Sequence, residues 1–152
     1  MSERPGGTAR AGNTNGRPIV LASYVTLAIY VVTIVPDAAG VHALDGLASV
    51  TALALFLGSL PIWLYAFGLA VVRSARGDDV NVSNLFFLTG SAPNEVRRPL
   101  LAVVVVSVVV AGATAWANPF AVLEPMLPLA FLPLWGARHG TFPARPTAAV
   151  SR

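Results

Sequence analysis

The sequence predicts an all-α integral membrane protein with four transmembrane helices and both termini in the cytoplasm. Three observations point there. Of 152 residues, 55% are hydrophobic and only 11% charged, whereas a soluble domain is about 25% charged. The apolar residues also gather in uncharged runs, and a helix needs about 20 such residues to cross roughly 30 Å of hydrocarbon. Finally, all ten basic residues are arginine, and they fall between those runs in a one-sided pattern. The mean hydropathy is +0.69. A soluble domain of this size leaves about 30% of its chain surface in water and could not hide so much apolar area. The composition excludes an ordinary soluble enzyme, a disordered regulator and a nucleic-acid-binding domain.

The first run, residues 18–36, makes one span. It is longer than the apolar core of a signal peptide, about 7–15 residues, and no small-residue cleavage site follows Val35-Pro36-Asp37. The second run, residues 46–72, makes one long span with room to tilt. The third, residues 99–137, is interrupted only by Glu124 and suits two helices. Asn118-Pro119 supplies the turn, because Asn favours turns and Pro favours the first position of a new helix. The spans there are 99–116 and 119–136. Soluble core helices usually run about 10–14 residues, shorter than these. The valines at 103–106 and 108–110 are β-prone, but inside a bilayer the backbone must satisfy its own hydrogen bonds, so the span is helical.

Four spans place both ends of the chain and the 73–98 loop on one side. That side holds every arginine: Arg4, Arg10, Arg17, Arg73, Arg76, Arg97, Arg98, Arg138, Arg145 and Arg152. With Glu3, Asp78, Asp79 and Glu95 it carries +6, against −3 from Asp37, Asp45 and Glu124 across the membrane, which closes on the net +3. Retained positive charge marks the cytoplasmic side. The high pI of about 10.2 is then a consequence of topology, and the basic face is attracted to anionic lipid.

Outside the spans, residues 1–17 and 141–152 read as polar cytoplasmic tails around a membrane domain at 18–140. The outer loop carries Asp37, His42 and Asp45, whose spacing matches no metal-site signature. The inner loop, residues 73–98, has an apolar centre, Leu85-Phe86-Phe87-Leu88, that suits the head-group interface or a plug in the end of the bundle. Ser91 reads as the N-cap of the third span, with Ala92 and Pro93 in its first turn. Arg97 and Arg98 would snorkel at the boundary. Asn81-Val82-Ser83 matches a glycosylation acceptor but lies on the cytoplasmic side.

The fourth span holds Pro125, Pro128 and Pro133, each of which removes a helical hydrogen bond. It also holds Glu124, the one ionisable side chain within any span. Glu124 lies about five residues, roughly 7 Å, in from the outer end; it either reaches the interface or serves transport. Small residues at four-residue spacing, Ala54/Gly58, Ala66/Ala70, Ser107/Ala111 and Ala111/Ala115, permit close helix contacts. Trp116 and Trp135 sit where aromatic belts belong. Glycines 136 and 140 flank Arg138-His139 and would let the chain turn sharply there.

Catalytic chemistry has few carriers. The chain has no Cys and no Lys, so thiolate, Schiff-base and P-loop chemistry are excluded. Its two histidines fall on opposite sides of the membrane, and no intramembrane acids cluster. No enzyme, cofactor or metal site is expected.

The segment SAPNEVRRPLL at residues 91–101 and the exit LWGARHGTFP at residues 134–143 resemble a family of small multi-spanning integral-membrane proteins of actinobacteria with no assigned activity. The resemblance covers residues 77–145 and implies membrane location and a role for these two cytoplasmic motifs. The expected function is that of a non-catalytic accessory or scaffold protein of the plasma membrane. It would contact a membrane-protein partner or anionic lipid through Leu85, Phe86, Phe87, Leu88, Arg97, Arg98, Arg138 and His139. The alternative is a small oligomeric transporter or channel with Glu124 at its outer mouth. Nucleic acid is not an expected partner.

Overall fold

A computed structural model describes residues 16–145. The expectations for the 1–15 and 146–152 tails lie outside the described residues. The described chain is helical, in the order α1 Arg17–Ala38, α2 Asp45–Ala75, α3 Val82–Phe86, α4 Asn94–Thr114 and α5 Met126–His139. Short 3-10 turns at His42–Leu44 and Pro119–Leu123 precede α2 and α5. Four segments are long and apolar enough to cross a membrane: Arg17–Ala38, His42–Ala75, Asn94–Thr114 and Pro119–His139.

Local chemistry sets the helix boundaries. α1 opens on Pro18, whose missing N–H costs nothing in a first turn. α2 spans 31 residues, about 46 Å at 1.5 Å per residue, longer than the roughly 30 Å of a bilayer's hydrocarbon. In α4 the buried positions Val96, Leu100, Val103, Ser107, Ala111 and Thr114 recur at steps of three and four, which places them on one stripe. The valine run forms helix despite its β propensity, with Val105, Val106, Val108 and Val109 facing outward. Similar outward Leu and Val side chains cover α1 and α2. Exposed apolar faces of this extent suit lipid and not water.

The layout departs from a symmetric bundle. α5 is the shortest of the four main helices, yet it is buried on almost every side, with Leu127, Phe131, Leu132 and Trp135 in the largest core cluster. It packs against α1, α2, α3 and α4. At 14 residues it covers only about 21 Å, and the 3-10 turn before it supplies most of the remaining length of the apolar segment Pro119–His139. The expected continuous span at 119–136 is therefore two pieces, separated at Glu124-Pro125. Proline at 125 cannot donate to the preceding turn, so the 3-10 ladder ends there.

Three further expectations change. α4 starts at Asn94, with Pro93 as its N-cap, so Arg97 and Arg98 are helical. Ser91 does not cap it: its hydroxyl donates to the Asn84 carbonyl. Trp116 is 78% exposed, as a belt residue would be, but Trp135 is 1% exposed. Gly16 at the start of α1 lies so close to the Trp135 ring that a Cβ there would collide with it. Finally, Gly140 has φ of −65°, and Gly136 lies within α5. Gly136 admits the backbone of α3, whose Leu85 carbonyl would stand 3.1 Å from a Cβ at that position.

Candidate functional site

Two places hold the chain's chemistry. The first is the arginine-bearing end. Described arginines at 17, 73, 76, 97, 98, 138 and 145 occupy the start of α1, the end of α2 and the residue after it, the start of α4, and the last turn and exit of α5. Arg73 organises it. Its Nε donates to Asp78 Oδ2 at 2.8 Å, and its Nη1 donates to the carbonyls of Ala137 (3.1 Å) and Gly140 (2.8 Å). The guanidinium also lies 4.5 Å from the Phe142 ring centroid. A cation on the last carbonyls of α5 satisfies groups that have no intrahelical partner and opposes the helix dipole.

Residues 141–145 are stitched onto the inner loop by hydrogen bonds, while the rest of the 141–152 tail lies outside the described residues. The Asp79 N–H donates to Pro143 O at 2.8 Å, Arg145 N–H to Gly77 O at 2.7 Å, and Thr141 N–H to Ser91 O at 3.1 Å. Arg145 Nη2 also donates to Ser74 Oγ at 2.8 Å. α3 is held by a reciprocal cap: Asn84 N–H donates to Asn81 Oδ1 (3.1 Å), and Asn81 N–H to Asn84 Oδ1 (2.8 Å). The Asn81-x-x-Asn84 spacing is the sequence signal of this cap, one that hydropathy does not bring out.

The apolar quartet divides. Leu85 and Leu88 are buried and plug the bundle end, so they are not surface contacts. Leu88 adopts φ of +52°, a conformation that costs a non-glycine residue about 1–2 kcal/mol, offset by burial of the side chain in the main core. Phe86 packs on Trp63 and Phe67 at ring separations of 5.7 and 6.0 Å. Phe87 remains outside, 55% exposed, with its carbonyl accepting from Arg97 Nε at 2.8 Å. Arg98 and Arg138 are exposed. His139 is half-buried, its ring 5.7 Å from that of Trp135.

The second place is Glu124. It reaches no interface: its relative exposure is 0%, and neither carboxylate oxygen has a hydrogen-bond partner. Ser107 of α4 lies beside it, with its own hydroxyl unpartnered. Tyr30 of α1 lies nearby, and its OH donates to Ala121 O at 3.2 Å. The count of residues from the end of the apolar run locates Glu124 along the axis of the bundle. Its lateral position, inside the bundle, comes from the central placement of α5 and the turn before it.

At the same end as the Glu124 turn is a cleft of about 440 Å³, lined by Asp37, His42, Asp45, Ser49, Trp116, Asn118 and Phe120, among others. Asn118 Nδ2 donates to Asp37 Oδ2 (3.1 Å) and Ser49 Oγ (3.0 Å), while its Oδ1 accepts from the Phe120 N–H. A residue expected only to turn the chain therefore ties α1, α2 and the 3-10 turn together. His42 Nδ1 is 3.6 Å from Asp45 Oδ2, with both side chains largely in the open. Among the described residues no group of three His, Asp or Glu side chains is placed to hold a metal ion.

No family model, curated protein or solved structure matches the chain.

Proposed function

We propose that the protein is a multi-pass plasma-membrane protein, arginine end in the cytoplasm, that serves without catalysis as an accessory or scaffold. Its arginine face binds anionic lipid or a membrane-protein partner. The observation that carries this reading is the ordered platform around Arg73, which fixes a long connection and the chain exit into one surface. Phe87, Arg97, Arg98 and Arg138 remain on that surface as contacts. Membership of the actinobacterial membrane-protein family belongs to the same proposal, on the motifs at 91–101 and 134–143.

Salt and mutation separate the two ligands. Each arginine near an anionic surface contributes about 1 kcal/mol, and salt weakens it. Arg98→Gln with Arg138→Gln should lower the extra thermal stability gained in nanodiscs of anionic over zwitterionic lipid, and high salt should do the same to the wild type. A protein partner instead depends on Phe87, an aromatic anchor worth roughly 2 kcal/mol. Phe87→Ala should then release the crosslinked protein while leaving the lipid response intact. Indifference to lipid charge, together with unchanged crosslinking in Phe87→Ala, would contradict the reading.

A second reading, a small oligomeric transporter or channel, is favoured by one observation: Glu124 is buried and without a partner in the interior of the bundle. Intramembrane acids usually mark pathways.

A further inference from the structure

We infer that Glu124 is the binding group of an intrabundle site for one monovalent cation, a proton or an alkali-metal ion, reached from the acid-lined cleft beside Asn118. The inference rests on the transporter reading and names its substrate class and the side from which it enters.

Charge accounting leads to the cation. An isolated carboxylate inside an apolar bundle costs several kcal/mol unless an opposite charge reaches it. The described residues supply none. Their only fixed cations are arginines, and those lie at the opposite end of the bundle. On the packed elements, the titratable group near Glu124 is Tyr30 of α1, and α4 contributes Ser107. The charged residues of α1 are Arg17 and Asp37, at its two ends, and those of α4 are Glu95, Arg97 and Arg98, near its start. The charged residues of α2 are Asp45 and Arg73, at its two ends, and those of α5 are Arg138 and His139, in its last turn. The neutralising charge must then come from outside the bundle. One carboxylate calls for one positive charge, which favours a monovalent over a divalent ion. The polar groups near the Glu124 side chain are oxygens, the Ser107 hydroxyl and the Tyr30 phenol, and the Ala121 carbonyl accepts from the Tyr30 OH and the Glu124 N–H. Oxygen sets of this kind suit hard cations.

Geometry gives the route. The cleft places Asp37 and Asp45 at an end that carries no described arginine, so the local field gathers cations. Asn118, Pro119 and Phe120 form one wall of the cleft. Pro119–Leu123 is the 3-10 turn that ends at Glu124. At about 2 Å per residue it is roughly 10 Å long. A 3-10 turn closed by Glu124-Pro125 has few ladder bonds to break, so it is the natural segment to open.

The test uses the full chain in nanodiscs. Its unfolding temperature is measured against pH at constant ionic strength, and against NaCl or KCl replacing an organic-cation salt at constant pH. A ligand that binds only the folded state raises this temperature with its concentration. The wild type should respond to pH or to the alkali ion, and Glu124→Gln should lose that response. A pH arm alone identifies a proton, and a salt arm alone identifies an alkali ion. Asp45→Asn should keep the response but shift its half-point several-fold at low ionic strength. Identical responses of wild type and Glu124→Gln in both arms would overturn the site. Should Glu124→Gln fail to fold, Ser107→Ala replaces it: a several-fold shift in the half-point supports the site, and an unchanged half-point overturns it. Cation flux in liposomes is read separately. Binding without flux refutes transport and leaves the site standing; flux that survives in Glu124→Gln does the reverse.

Discussion

Replacing Arg73 with methionine should unstitch the arginine end. Methionine keeps the apolar stem but removes the donors to Asp78, Ala137 O and Gly140 O, and the cation above Phe142. Hydrogen bonds to charged groups contribute about 1.5–3 kcal/mol each. The Arg73 and Asp78 side chains are 25% and 31% exposed, so water compensates in part, and the expected net loss is roughly 2–3 kcal/mol. Arg73→Lys should recover little of it, because a single ammonium cannot serve acceptors arranged for a planar fork. Unfolding of the two variants in detergent measures the loss. Faster hydrogen exchange of the Thr141 N–H, which donates to Ser91 O, reports the detachment of residues 141–145. A methionine variant as stable as the wild type, with the Thr141 N–H exchanging no faster, would refute the role of Arg73.

Gly136→Val should be comparably damaging for a steric reason. A Cβ at Gly136 would lie 3.1 Å from the Leu85 carbonyl, 3.2 Å from Leu88 Cδ2 and 3.5 Å from Leu85 Cα. A β-branched side chain cannot fit without lifting α3 off α5, and overpacking of this kind costs about 1–3 kcal/mol. Gly112 supplies the control. It also lies within a helix, α4, but a Cβ there would meet nothing within 4 Å. Gly112→Val should be nearly neutral. Equal unfolding temperatures for the two valine variants would mean that α3 does not rest on α5 as described.

The first two helices were legible because charge and proline mark their ends. The runs at 18–36 and 46–72 correspond to Arg17–Ala38 and Asp45–Ala75. What hydropathy could not convey is which apolar face meets lipid and which meets protein, since both surroundings are apolar. Trp135 reads as a belt residue for that reason and is in fact core. Leu85 and Leu88 read as part of a surface patch and are in fact its underside. The small pairs divide likewise: Ala66/Ala70 and Ser107/Ala111 are buried, while Ala54/Gly58 face outward. Glu124 was visible as the one acid inside a long apolar run, but its burial depends on α5 lying at the centre. The proline content of α5 hinted at this, since the surrounding helices shield backbone groups that proline leaves unbonded.

The most direct test of four crossings with the arginine end inside uses the absence of cysteine in this chain. Single cysteines at Ala39, in the turn after α1, and at Ala75, at the end of α2, are exposed positions on opposite ends of the bundle. In intact cells a membrane-impermeant maleimide should label Ala39→Cys and should reach Ala75→Cys only after permeabilisation. Labelling of both from the same side would contradict the topology.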